Sequence, residues 1–157
     1  MSNKPIYNRD AAIEYAHRHA YEPNSEYYNF ENIGGDCTSF ISQCLYAGFP
    51  QMNYSQNGWY YKNAGNRSPS WAGVPFLYNF LTSGAERHGP SAVEIPEEQV
   101  IPADIIQLSF DGVRFAHSLF VVEKSGRGIL IATHTDNSDY RPLDTYVYRL
   151  SRGLRIL

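Results

Sequence analysis

Cys37 follows Gly34-Gly35-Asp36 and opens a run in which Cys37, Phe40, Ile41, Cys44 and Leu45 recur at helical spacing. The thiol therefore falls in the first turn of a helix, with Asp36 at the N-cap position and Gly48 where the helix stops. Free N–H groups and the positive dipole end at such a start stabilise a thiolate and lower its pKa. The same donors can hold the oxyanion of a tetrahedral intermediate. The preceding glycines allow a close approach without a Cβ clash. The competing reading is that Cys37 is core, since it lies on the apolar stripe. Cys44, two turns on between Ile41 and Leu45, reads as core. About 10 Å of helix separates the two Cα atoms, too far for a disulfide.

A thiol nucleophile needs a base and a group that orients it. His17, His19 and His88 read as surface or partly packed residues. His117 and His134 instead fall in a hairpin predicted across Ser125-Gly126-Arg127-Gly128. An even-length loop pairs His117 with Asp136 and puts His134 on the diagonal. All three then share a face with Leu119, Val121, Leu130 and Ala132. An odd-length loop moves His134 and Asp136 to the other face. The chain order of cysteine, histidine and polar partner is that of papain-like enzymes. The plainer reading is a pair of satisfied polar residues at a sheet end. His117, His134 and Asp136 are also zinc-type ligands, but no familiar ligand spacing accompanies them, so no metal is expected.

The elements that must position these groups are helices first and strands later, which is α+β with a mostly antiparallel sheet. A first amphipathic helix spans Asn8 to Ala20, with Ile13, Ala16 and Ala20 on one face and Asn8 as its cap. The second is the Cys37–Ala47 helix. Between residues 49 and 90 the chain is rich in aromatics, Asn, Gly and Ser, with Trp59–Tyr61 reading as loop. Val74 to Leu81 is a short helix buried on most sides, with Pro75 in its first turn. Strands are expected at Ile105–Phe110, Phe115–Lys124, Ile129–Thr135 and Thr145–Leu150, with a fifth at Leu154–Leu157.

Composition limits the partners. The 157 residues carry 13 Lys+Arg against 16 Asp+Glu, a net charge of −3, which argues against nucleic acid. A 43% hydrophobic content in one domain, residues 1–157, supports a packed core, and two cysteines are too few for a disulfide framework. No apolar run approaches a membrane span, and Met1 to Asn8 does not resemble a signal peptide. The chain as it stands reads as cytoplasmic, or as a fragment of a longer secreted or cell-wall protein.

Asp36-Cys37-Thr38-Ser39-Phe40-Ile41-Ser42-Gln43 resembles the nucleophile motif of a bacterial family known as the "putative amidase domain", roughly Asp-Cys-Thr-Asn-Phe-Val-Ser-Gln. That family is grouped with NlpC-type, papain-like cell-wall cysteine peptidases, which carry an Asp-Cys-Ser-Gly variant. The resemblance continues through Trp59-Tyr60-Tyr61, Ser68-Pro69-Ser70-Trp71, Pro102-Ala103-Asp104-Ile105-Ile106-Gln107, Ala116-His117-Ser118 and Ala132-Thr133-His134-Thr135. It covers almost the whole chain in order. Ser39 stands where the family more often has Asn, and Ala103 where Gly commonly precedes the Asp.

The resemblance implies a papain-like fold with Cys37 as nucleophile, His117 as general base and a polar third member on the next strand. His134 fills that third place best, with Asp136 and Asn137 as alternatives. It further implies a cysteine amidohydrolase acting on peptidoglycan stem peptides or related amides, without a cofactor. Asp36 reads either as a helix cap or as a carboxylate recognising a free substrate amine. The Trp59–Trp71 segment, with Trp59, Tyr60 and Trp71, is expected to line the groove, while Phe76 and Phe80 are expected in the core. Two other classes compete: a non-catalytic module binding cell-wall peptide or glycan, and a thioester-forming acyl transferase.

Overall fold

A computed structural model describes residues 4–84 and 87–157. Helix α1 (Arg9–His19) starts where the Asn8 side chain accepts a hydrogen bond from the Ala11 N–H. Helix α2 (Cys37–Gly48) lies against it. Gly48 is the last helical residue, and its role is contact: a Cβ there would meet the Asn8 carbonyl oxygen and the Tyr7 ring at 2.7 Å. Two short strands, β1 (Tyr61–Asn63) and β2 (Asn66–Arg67), form a hairpin before helices α3 (Pro69–Ala72) and α4 (Val74–Leu81). Helix α4 has the expected bounds but is not buried on most sides, since Phe76 is 54% exposed while Leu77, Phe80 and Leu81 are buried.

The remaining strands are β3 (Ala92–Ile95), β4 (Ile105–Ser109), β5 (His117–Ser125), β6 (Gly128–Thr133), β7 (Ser138–Pro142) and β8 (Leu150–Ile156). They form one six-stranded sheet in the order β3-β8-β4-β5-β6-β7, every pair antiparallel. The fold is thus α+β, with six strands rather than about five. The expected strand at Thr145–Leu150 is not one. Its alternation of Tyr146 and Tyr148 with Val147 and Arg149 reflects a single extended segment whose tyrosines cover the sheet and whose Val147 faces solvent. Strands β3 and β7 were missed because each is short and at an edge. The second is mostly polar and ends on a proline, as edge strands often do.

One face of the sheet carries Ile105, Phe120, Val122, Leu130, Ala132 and Leu154 against the helices. The other carries Ile106, Leu108, Leu119, Val121 and Ile131 beneath Leu143 and the two tyrosines. Between β5 and β6, Glu123 pairs with Leu130 as an even-length loop requires. A bulge between Val121 and Glu123 then shifts the register, so that Val121 faces Ile131. Beyond that bulge every residue of β6 faces the opposite side from the one expected. Leu119 and Val121 therefore do not share a face with Leu130 and Ala132.

Asp104 anchors the sheet to α1. It is fully buried and accepts from Arg9, Arg155 and the backbone N–H groups of Ile101 and Ile156. The tight turn that delivers it holds Ala103 at φ +73, the left-handed region that favours glycine. This accounts for Gly at the equivalent place in the family motif. Ala103→Gly would relieve about 1–2 kcal/mol of backbone strain and forfeit a buried methyl plus chain entropy of similar size. A net change under about 1 kcal/mol is expected. The same exchange at Ala16, buried within α1, combines lost helix propensity with a lost methyl and should cost about 2 kcal/mol. Urea unfolding of the two variants checks the contrast.

Candidate active site

The start of α2 meets the start of β5. The Thr38 and Ser118 hydroxyls lie 3.0 Å apart, and the Gln107 side chain donates to both the Ser118 hydroxyl and the Val74 carbonyl. These bonds set the residue before Thr38 and the residue before Ser118, Cys37 and His117, at the same junction of helix and sheet. Cys37 is buried to 6% exposure and Cys44 completely, and both thiols are free. Burial pushes the Cys37 thiol above its ordinary pKa, and the neighbouring Asp36 charge adds to that rise. The Ser118 N–H and the Thr38 hydroxyl and N–H oppose it by favouring a thiolate. The helix start therefore does not hold a preformed thiolate, contrary to the expectation from position alone.

The His117 imidazole is pulled down to about 4, first by burial, then by the Arg141 guanidinium, with Asp136 opposing. At neutral pH the resting pair is a thiol and a neutral imidazole. Thr133 faces one nitrogen of that ring. Its hydroxyl lies 3.0 Å from the Ser118 carbonyl, 2.9 Å from that of His134 and 3.5 Å from His117 Nε2. A ring that donates Nε2–H to this hydroxyl keeps its lone pair on Nδ1, where a base requires it. Thr133 was not singled out from sequence, because a threonine in a strand looks like any other strand residue.

His134 does not take the third place. It stacks on Phe40 of α2 at 4.1 Å between centroids, on the helix side of the sheet. Its Nδ1 lies 2.6 Å from Asp36 Oδ2, and its Nε2 lies 2.8 Å from the His19 carbonyl. Asp136 is exposed and pairs with Arg141. The bulge in the hairpin is the physical reason, since it turns His134 away from His117. Asp36 is not the side-chain cap of α2 either. Its Oδ1 accepts from the Phe30 N–H and its Oδ2 is taken by His134, so the carboxylate, at 2% exposure, is not placed to meet a substrate amine.

Thr135 completes this tie. Its hydroxyl accepts from the Asp36 N–H, and its own N–H donates to Glu31. Gly35, at φ +99, passes so close that a Cβ would sit 3.0 Å from the Thr135 hydroxyl. The Thr133-His134-Thr135 stretch thus divides, with one residue turned to His117 and two holding the loop that carries Cys37. Glu31, Asp36 and His134 lie within 4.8 Å of one another, close enough for a metal. His134 could offer a nitrogen to an ion only by giving up Asp36 or the His19 carbonyl, so these groups fit a hydrogen-bonded tie better.

A cleft of about 400 Å³ opens beside Gly34 and Gly35, walled by Phe30, Ile33, Arg67 and Phe76. Trp59 and Trp71 do not line it. Both are fully buried, their rings 5.0 Å apart, and Trp59 donates its indole N–H to Ser42. Tyr60 is half-buried with its ring beside Tyr54 and does not line the cleft, though its backbone bonds Ser68, which does. The rings at the cleft are Phe30 and Phe76, the latter expected in the core.

The depressed His117 value has a consequence for stability. Between its ordinary pKa near 6.5 and about 4, the unfolded chain binds a proton here that the folded chain refuses. Stability therefore falls as pH drops through this window, by about 3 kcal/mol once below it. His117→Gln should remove that share of the acid loss. Urea unfolding at pH 7, 5 and 4 on both proteins measures the difference.

Residues 6–156 match the family described as "Putative amidase domain". The chain is 34% identical over 141 residues to a Bacillus subtilis (strain 168) protein described as "Uncharacterized protein YhbB". That alignment covers 86% of this chain and 43% of the relative, so the chain spans less than half of the relative's length. No solved structure matches it. With the family match running from before α1 to the last strand, the chain belongs to the putative amidase domain family.

Proposed function

We propose that this domain is a papain-like cysteine amidase, related to the NlpC-type peptidases, which cleaves an amide through a thioester on Cys37. The observation that carries the reading is that the Thr38–Ser118 contact sets a helix-start thiol and a neutral imidazole, its Nε2 facing Thr133, at one junction of helix and sheet. His117 takes the thiol proton as Sγ attacks the substrate carbonyl, and the resulting oxyanion is met by N–H groups at the helix start. The imidazolium then gives its proton to the amide nitrogen, the C–N bond breaks and the amine leaves. Water attacks the thioester while His117 removes its proton. The C–S bond breaks, and the proton returns to sulfur as the acid departs. A resting thiol suits this scheme, because burial that raises the thiol also makes the thiolate formed a stronger nucleophile.

The substrate class we favour is the peptidoglycan stem peptide or a related peptide amide. Incubation of purified muropeptides with wild-type and Cys37→Ala protein, read by mass spectrometry, tests it. New amine and carboxyl products from the wild type alone are expected. Products only on adding an amine acceptor would make the protein a transferase. Muropeptide binding without products would make it a non-catalytic module, and neither binding nor products would remove peptidoglycan as substrate.

A further inference from the structure

The cleft beside the nucleophile loop has one charged residue among its described lining, Arg67, and its other walls are largely apolar or backbone. The Arg67 guanidinium lies over the Phe30 ring, 4.4 Å from its centroid, and donates to the Ala64 carbonyl. Stacking fixes the plane of the guanidinium at little further entropic cost. Among the described residues no carboxylate pairs with it. A guanidinium has five N–H donors, and with one bond to Ala64 most of the exposed Arg67 fork is left facing solvent. Arg87, stacked on Phe80, also has no carboxylate partner among the described residues but spends its donors on Ser83 and backbone carbonyls, and three others are more fully engaged than Arg67. Arg141 pairs with Asp136, Arg9 with Asp104, and Arg152 donates twice to Gln107.

From this we infer that the cleft takes a substrate segment bearing a carboxylate, which Arg67 binds through its free N–H edge. The apolar body of that segment lies between Phe30, Ile33 and Phe76. A single guanidinium balances a single carboxylate and suits its planar, two-oxygen geometry. A dianionic phosphate would leave charge uncompensated in a cleft with no second cation. Gly34 and Gly35 are both part of the lining and lead directly to Asp36 and Cys37, so the cleft adjoins the loop that carries Cys37, although Cys37 itself does not line it. A Cβ on Gly34 would meet nothing, so this side of the cleft is open. The assignment rests on the reading of Cys37 as nucleophile only in naming the bound molecule a substrate.

Binding to the Cys37→Ala protein tests the cleft without requiring catalysis. Acetyl-Ala-Glu-Ala-amide and its Gln counterpart are titrated by calorimetry at low ionic strength. The Glu peptide should bind at least about tenfold more tightly, as a charge-assisted pair demands. Arg67→Gln should reduce that preference to below about threefold, and Arg67→Lys should retain part of it. Equal binding of the two peptides, binding of neither, or a preference that survives Arg67→Gln overturns the assignment. If the preference depends on Arg67 while the wild type cleaves neither this pair nor muropeptides, the cleft assignment stands and the amidase reading falls.

Discussion

Cys37→Ala is expected to lower kcat/KM for amide cleavage by a factor on the order of 10⁴ or more, while costing about 1 kcal/mol of stability. The asymmetry follows from geometry. The thiol occupies a small, well-supported place at the helix start, so its loss opens little space. Without it no thioester forms. Cys44→Ala should do the reverse, leaving turnover intact and removing about 1–2 kcal/mol, because Cys44 packs at 0% exposure inside α2. Chemical labelling gives an independent reading. Burial raises both thiols, Cys44 further than Cys37, so iodoacetamide should modify Cys37 first, at a rate climbing with pH. His117→Gln should leave that labelling largely unchanged while abolishing turnover, since the base acts on the bound substrate and the resting thiol is not an ion pair. Equal labelling of the two cysteines, or turnover that survives in Cys37→Ala, removes the thiol from the mechanism.

How much of this was legible beforehand varies with the kind of information involved. The bounds of α2 follow from its apolar stripe and a glycine pair, both local, and the cysteine at its start needed nothing else. The β5–β6 register was correct near the turn, where loop length sets the pairing, and failed past Val121. The reason lies in the residues themselves: Leu119, Phe120, Val121 and Val122 are all apolar, and both sheet faces are covered. A strand buried on both sides has no polar alternation to mark a one-residue slip. His134 was therefore assigned to the wrong side, and Thr133 went unnoticed. The tryptophans failed for a related reason. A large ring suits a groove and a core equally well by type, and only the packing of Trp59 on Trp71 decides between them.

The correction at His134 leads to the second large effect. Both of its ring nitrogens are engaged, Nδ1 with Asp36 Oδ2 and Nε2 with the His19 carbonyl. The pair is buried, 2% and 3% exposed at the side chains, and removing one partner leaves the other buried without it. His134→Ala should therefore cost about 3–5 kcal/mol, before counting the lost stacking on Phe40. For a chain of this length that corresponds to a fall of roughly 10–15 °C in Tm. Asp36→Asn alone should cost somewhat less, since the amide keeps its bond from Phe30. Combining Asp36→Asn with His134→Gln should recover 1–3 kcal/mol relative to the sum of the single changes, as expected for groups in direct contact. Activity separates a tie from a third catalytic member. A residue orienting His117 would alter the pH profile of kcat when removed, whereas a tie holding the nucleophile loop lowers kcat uniformly across pH. Thr133→Val makes the complementary change: it removes the hydroxyl facing His117 Nε2, so the pH profile should shift and the rate should fall. If His134→Gln shifts the profile and Thr133→Val does not, the roles assigned to the two residues are reversed.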